Sequence, residues 1–138
     1  MQAETNESYL IFTIHKSLYA IKNTNVQEIM HSAKIHPLPF VPDYIEGMVN
    51  CRGLPYTVVN FLKMEKEENC EISEPTVLVF RRDDDQFALH ISGIELFFEP
   101  EAEDITAEGI KYKSRIITFF DIDAIENTLC QDLREEEL

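Results

Sequence analysis

The strongest constraint on the fold is that the apolar residues of this 138-residue chain come in short runs separated by polar and turn-forming residues. The clearest runs are YLIFTI, LYAIK, TVLVF, FALHI, GIELFF and RIITFF. Each has the length of a β-strand and is too short for an ordinary helix. The spacing therefore predicts about eight to ten short strands in a mostly β fold, arranged as two small barrels or as a sandwich.

Two pairs of runs have the form of β-hairpins. YLIFTI and LYAIK are separated by the polar residues 15–17, and TVLVF and FALHI flank RRDDDQ, whose aspartates suit turns. In FALHI, His90 alternates with Leu89 and Ile91, which predicts that its side chain faces solvent. After the acidic loop 99–108 and the run RIITFF, Asp121 or Asp123 can cap a C-terminal helix.

The length is that of one domain. We expect a disordered N-terminus at 1–8, a single domain at 9–131 and an acidic tail at 132–138. The polar, acidic segment 63–75 predicts a solvated connector that divides the strands into two similar sets.

Charge narrows the classes of partner. The chain has 26 acidic and 12 basic residues, a formal net charge of −14. Such a surface repels phosphate backbones and anionic lipid, so we expect protein partners, no nucleic acid and no membrane insertion. The alternative is that the acidic excess serves only to keep the protein soluble. No apolar run reaches the length of a membrane span and the start lacks a signal-peptide pattern, so we expect a cytoplasmic protein.

The residues that carry chemistry form no catalytic or metal-binding motif. Cys51, Cys70 and Cys130 are odd in number and widely spaced, which favours neither a disulfide framework nor a zinc site. The glycines form no phosphate-binding loop. We expect no cofactor and no catalysis. One alternative is a small enzyme or redox protein centred on Cys51, because the adjacent Arg52 could lower the pKa of a thiol, although a cysteine within a strand is more often a buried apolar side chain.

The stretch MVNCRGLPYTVVNF, residues 48–61, predicts two strands joined by a tight corner. Gly47 and Gly53 bracket the run 48–52, and glycine permits positive φ or close backbone approach. Two interpretations of Arg52 remain open at this point. It is either an exposed turn residue paired with a nearby carboxylate or an anchor for a protein partner.

Four motifs follow one another along the chain: VQEIM at 26–30, the proline loop HPLPFVPD at 36–43, IEGMVNCRG at 45–53 and VVNF at 58–61. In this order they resemble the CheW-like domain of bacterial chemotaxis. The pattern positions are filled by Pro42, Ile45, Gly47, Asn50, Arg52 and Gly53. The resemblance extends from about Tyr9 to Leu129. It implies two SH3-like five-stranded β-barrel subdomains that are intertwined and packed together, with a short C-terminal helix.

The resemblance also implies a function. CheW-like adaptors couple transmembrane chemoreceptors to the histidine kinase CheA without catalysis, and they associate with receptor arrays at the inner membrane. The implied partners are the C-terminal regulatory domain of CheA and the helical tip of the receptor's cytoplasmic part. The implied kinase-side residues are Val26, Glu28 and Ile29, and the implied receptor-side residues are Gly47, Asn50, Arg52 and Gly53. In isolation we expect a monomer.

A second possibility within the same family stays open. Thr57, Asn60 and Ser92 differ from the family pattern, and the connector 98–109 is short for it. The alternative is a divergent copy that serves a non-motility kinase pathway, or one that competes for receptors without activating the kinase.

Overall fold

The computed structural model describes residues 7–67, 71–83 and 85–136. Within them the chain forms ten β-strands and two α-helices. The strands are β1 (Tyr9–Ile14), β2 (Ser17–Lys22), β3 (Val26–Met30), β4 (Ile45–Cys51), β5 (Leu54–Val59), β6 (Thr76–Phe80), β7 (Phe87–Ile91), β8 (Gly93–Phe98), β9 (Gly109–Tyr112) and β10 (Arg115–Phe119). The helices are α1 (Phe61–Met64) and α2 (Ile122–Glu136).

The strands form two five-stranded sheets. The terminal sheet has the order β8-β1-β2-β10-β9, and the central sheet has the order β3-β6-β7-β5-β4. Adjacent strands run antiparallel except for the parallel pairs β2–β10 and β5–β7. The predicted hairpins β1–β2 and β6–β7 are both present. The prediction of a mostly β fold with two five-stranded units and a short C-terminal helix is therefore confirmed.

The polar segment 63–75 does not divide the strands as the sequence suggested. It connects β5 to β6, and both strands belong to the central sheet. The chain instead begins in the terminal sheet, builds the whole central sheet, and returns to complete the terminal one. The two sheets are therefore intertwined along the sequence. Within the polar segment, Cys70 lies outside the described residues.

A shared core holds the two sheets and α2 together. Leu10, Phe12 and Ile14 of β1 are buried in one cluster with side chains of β6 and β7. The apolar face predicted for the C-terminal helix packs onto this cluster, and its members are Ile122, Ile125 and Leu129. Burying a side chain of this size stabilises the fold by about 1.5–3 kcal/mol. The core thus fixes how one sheet sits on the other.

Both helices begin at a side-chain cap. The Asn60 Oδ1 atom accepts a hydrogen bond from the Lys63 backbone N–H at 3.1 Å, and Asp121 Oδ1 accepts one from Ala124 at 3.0 Å. Of the two predicted caps, Asp121 is therefore the one in use. Helix α2 continues to Glu136, through most of the segment interpreted as an acidic tail. Residues 137–138 of that tail, and residues 1–6 of the predicted N-terminal segment, lie outside the described part of the chain.

Strand β9 was not predicted from the sequence. The four residues of β9 follow the predicted acidic loop and pair with β10. Only Gly109 and Ile110 of this strand are buried, so the segment has too few apolar positions to show a period of two. The segment is a strand because it forms hydrogen bonds with β10, and its own residue pattern does not indicate one.

The predicted solvent exposure of His90 is wrong. His90 lies in β7, whose five residues are all buried, because β7 is the middle strand of the central sheet and side chains cover both of its faces. Alternation indicates an exposed face only when one side of the sheet meets water. His90 is satisfied internally, through Glu46 and Glu74.

Arg82, in the loop after β6, forms ion pairs with two carboxylates of α2. The Arg82 Nη2 atom lies 2.5 Å from Asp123 Oδ1 and 2.7 Å from Glu126 Oε1. The pKa of Glu126 is lowered chiefly by the hydrogen bond from Arg82. We expect Arg82→Ala to lower the free energy of unfolding at pH 7 by about 1–3 kcal/mol, measured by urea denaturation.

The pH dependence of this effect has a defined sign. A carboxylate with a lowered folded pKa contributes stability above its unfolded pKa of about 4.3, and that contribution is lost as pH falls through the folded pKa. The difference between wild type and Arg82→Ala should therefore shrink in acid. Arg81→Ala is the control, because Arg81 is exposed and bonds the neutral amide of Gln27. An equal loss in both variants would refute the role of Arg82.

Candidate functional site

The predicted corner between β4 and β5 is a two-residue hairpin turn. Cys51 pairs with Leu54, so Arg52 and Gly53 are the central residues, with φ values of 53° and 85°. Positive φ at both positions matches a type I′ turn, whose twist fits the flanking strands. The Asn50 Oδ1 atom accepts a hydrogen bond from the Gly53 backbone N–H at 2.8 Å. The turn therefore holds Arg52 in a fixed backbone geometry.

Gly47 allows the proline loop to lie against β4. Its φ is 145°, and a Cβ atom there would clash with the His36 carbonyl oxygen. His36 and Met48 exchange two backbone hydrogen bonds of 2.8 Å, and the pairing of β4 with β5 shifts register between Ile45 and Gly47. A side chain at position 47 would displace the proline loop. Gly47 therefore contributes to the site by letting this loop pack against the backbone of β4.

Glu28 and Arg52 form an ion pair. The Arg52 Nε atom lies 3.0 Å from Glu28 Oε1, and the Arg52 side chain is 71% exposed. Glu28 lies in β3 and Arg52 in the turn that follows β4, and β3 and β4 are the two outer strands of the central sheet. The sheet is therefore curled so that its edges approach each other, as in an SH3-like fold. The pair also brings together two residues for which the family resemblance implies different partners.

The remaining predicted residues are less accessible. Val26 and Ile29 are half-buried and pack against the shared core, whereas Asn50 is exposed and engaged in the turn. Gly53 has an exposed backbone position. Around the Glu28–Arg52 pair, the site is thus a polar corner with a partly apolar strand beside it.

Two exposed apolar side chains flank β4 and were not identified from the sequence. Phe40, in the proline loop before β4, is 94% exposed at a φ of 57°, and Leu54, just after the turn, is 50% exposed. A bulky side chain with positive φ is sterically unfavourable. The available signal was an aromatic residue in a proline-rich loop, where no strand could bury it. Exposed apolar groups next to polar anchors are typical of protein-binding surfaces.

Cys51 has the environment of a core residue. It is 3% exposed and packs in a cluster with Val49 and Tyr56. Burial raises the pKa of the Cys51 thiol, and the Glu28 carboxylate 3.6 Å from its sulfur raises it further, against a smaller lowering by Arg52. The thiol is therefore protonated at neutral pH, which does not favour nucleophilic chemistry.

Neither a metal cluster nor a spanning helix is found in the described part of the chain. Among residues 7–67, 71–83 and 85–136, no three or more His, Cys, Asp or Glu side chains are grouped so that they could hold a metal ion. In the same ranges, no helix combines the length and the apolar character needed to cross a membrane.

Two intertwined β-sheets expose a polar corner with apolar neighbours, a combination that is typical of protein-binding domains. The chain belongs to the CheW-like domain family, whose model matches residues 8–125. This assignment supports a role as an adaptor or scaffold in chemotaxis.

Individual relatives agree with the family assignment. The chain is 27% identical to Chemotaxis protein CheW of Bacillus subtilis strain 168, over 90% of this chain and 89% of that protein. It is 26% identical to Chemotaxis protein CheW of Klebsiella aerogenes, over 76% of this chain and 61% of that protein. The crystal structure of the scaffolding protein TtCheW from Thermoanaerobacter tengcongensis superposes with a TM-score of 0.74 at 16% identity, covering 86% of this chain and 90% of that one. The structural likeness supports the fold.

Proposed function

We propose that this protein couples chemoreceptors to the histidine kinase CheA by protein binding alone. The observation that carries the proposal is the Glu28–Arg52 corner. There an ion pair to β3 and a rigid turn after β4 hold the exposed side chain of Arg52 in place. The family assignment and the names of the relatives support the pathway. A coupling protein needs two partners at defined positions, and this corner offers adjacent surfaces for both.

Arg52 is suited to anchor a carboxylate of the receptor tip. It contacts Glu28 through Nε, and in the described residues its Nη atoms take part in no further ion pair. A guanidinium can bind two carboxylates along different edges of its plane. The receptor side then consists of Arg52 together with Gly47, Asn50 and Gly53, which set the backbone around it.

The kinase side of the proposal is β3. Val26 and Ile29 are half-buried, and Glu28 is exposed enough to meet a partner while it holds Arg52. The regulatory domain of CheA would contact this outer strand of the central sheet. Because Glu28 and Arg52 form an ion pair, binding of the kinase at Glu28 would change the electrostatic environment of Arg52, and binding of the receptor at Arg52 would change that of Glu28.

Kinase activation separates coupling from mere receptor occupancy. CheA autophosphorylation would be measured with a receptor cytoplasmic fragment, with and without this protein. We expect activation that requires all three components. The protein would be a competitor if it reduced the activation produced by an established coupling protein and gave none itself.

Cys51→Ser is a second prediction and tests the thiol alternative. Since Cys51 is buried and its thiol is protonated, we expect both binding activities to be retained. The free energy of unfolding should fall by about 1 kcal/mol, because a hydroxyl replaces a buried sulfur. Binding is measured by titration and folding by circular dichroism. A folded variant that had lost activity would support a chemical role for Cys51.

A further inference from the structure

The hairpin formed by β9 and β10 carries an unusual concentration of positive charge. Lys111, Lys113 and Arg115 lie within five residues, in a chain with 12 lysines and arginines and a net charge of −14. All three side chains are exposed. In the described part of the chain, none of them takes part in a salt bridge. We call residues 111–116 the basic hairpin.

The turn of the basic hairpin has a sterically unfavourable backbone conformation. Tyr112 pairs with Arg115, so Lys113 and Ser114 are the turn residues, with φ values of 46° and 66°. Such turns ordinarily use asparagine or glycine, which adopt this conformation with less strain. The Lys113 Nζ atom lies 5.3 Å from the centre of the Tyr112 ring, within cation–π range. The backbone and the ring together define where the Lys113 ammonium lies.

A groove runs along this hairpin. Its volume is about 440 Å³, and its lining includes the three basic residues with Tyr112, Ile116 and Asp104. Ile116 is 48% exposed, so the groove combines positive charge with an apolar surface. Asp104 is the carboxylate among the lining residues, and three cations outnumber it.

We propose that the basic hairpin binds an acidic, extended segment of a partner protein, in which carboxylates alternate with apolar side chains. The carboxylates would pair with Lys111, Lys113 and Arg115, and an apolar side chain would cover Ile116. Charge complementarity selects this occupant. At physiological ionic strength fields decay over about 8 Å, so a short segment senses the local cations more than the distant acidic surface.

Larger anions fit the molecule less well. A membrane surface, a nucleic acid or a second copy of this chain would extend beyond the hairpin and meet the acidic remainder of a protein with a net charge of −14. The proposal does not depend on receptor coupling, because the basic hairpin belongs to the terminal sheet and the Glu28–Arg52 pair to the central sheet.

The test uses a short fluorescein-labelled peptide of alternating glutamate and valine, with capped ends, and the full chain. Fluorescence anisotropy would be measured at about 0.05 M and about 0.5 M salt. We expect binding that weakens with salt and that falls about tenfold in Lys111→Glu/Lys113→Glu/Arg115→Glu. The matched control is Lys16→Glu/Lys34→Glu/Lys63→Glu, which changes the net charge equally at exposed sites elsewhere and should bind within about twofold of wild type.

Further arms make each outcome decisive. The same peptide with glutamine in place of glutamate should not bind, and vesicles with anionic lipid should not bind the wild type. If the reversal variant does not fold, the triple glutamine variant at the same positions replaces it and should also bind more weakly. Absence of peptide binding, equal loss in both triple variants, or vesicle binding that depends on the basic hairpin would overturn the proposal.

Discussion

His90→Ala is expected to lower the free energy of unfolding by about 2–4 kcal/mol, the largest stability effect of a single substitution considered for this chain. His90 is 6% exposed and both of its ring nitrogens have partners. Nδ1 lies 2.6 Å from Glu46 Oε2, and Nε2 lies 2.6 Å from the Glu74 carbonyl oxygen. Alanine would leave the partly buried Glu46 carboxylate and the Glu74 carbonyl oxygen without the hydrogen bonds that the imidazole donates.

The stability that His90 contributes should depend on pH. A carbonyl only accepts hydrogen bonds, so Nε2 carries a proton, and the carboxylate favours a second proton at Nδ1. Burial acts to lower the pKa of His90, but the hydrogen bonds that its ring nitrogens donate to the Glu46 carboxylate and the Glu74 carbonyl outweigh this effect, and the pKa is raised. Stabilisation is then complete below the unfolded pKa of about 6.5 and is lost as pH rises through the folded pKa.

Urea denaturation across neutral and alkaline pH measures this effect. We expect the gap between wild type and His90→Ala to narrow as pH rises. His31→Ala, at an exposed position, should stay within about 0.5 kcal/mol of wild type. A constant gap at all pH values would show that the lost packing, and not the ionised pair, causes the destabilisation.

Arg52→Glu is expected to weaken binding to a receptor cytoplasmic fragment by about tenfold or more. The substitution removes the proposed carboxylate anchor and places a second carboxylate beside Glu28. Because the Arg52 side chain is 71% exposed, the circular dichroism spectrum should not change. Titration calorimetry measures the affinity, and Lys63→Glu, with the same charge change at an exposed site, should bind as wild type does.

The charge swap separates a contact role of Arg52 from a structural one. Glu28→Lys/Arg52→Glu restores an ion pair of opposite orientation at the corner. If Arg52 contacts the receptor, the swap should recover stability while receptor binding stays weak. Full recovery of binding in the swap would mean that the ion pair only shapes the turn. Glu28→Lys alone should reduce binding to the CheA regulatory domain.

Local features of the fold could be predicted from the sequence. The hairpins β1–β2 and β6–β7, the corner at Arg52 and Gly53, and the apolar face of α2 depend on residues close together in the chain. Strand length, turn residues and helical spacing carry that information.

The arrangement of the sheets could not be predicted in the same way. The parallel pairs β2–β10 and β5–β7 join distant segments, and no residue pattern specifies which strands meet. The same limit explains why the contact between Glu28 and Arg52 was not foreseen. The two residues are 24 positions apart on opposite edges of one sheet. His90 was misassigned because alternation does not report burial in a strand covered on both faces.

Direct titration of the wild-type protein with the two proposed partners tests the central claim. Titration calorimetry with the C-terminal regulatory domain of CheA, and separately with a receptor cytoplasmic fragment, should give saturable binding in the micromolar range for both, as transient signalling contacts do. No heat of binding to either partner at about 100 μM protein would contradict the proposal that this chain couples receptors to the kinase.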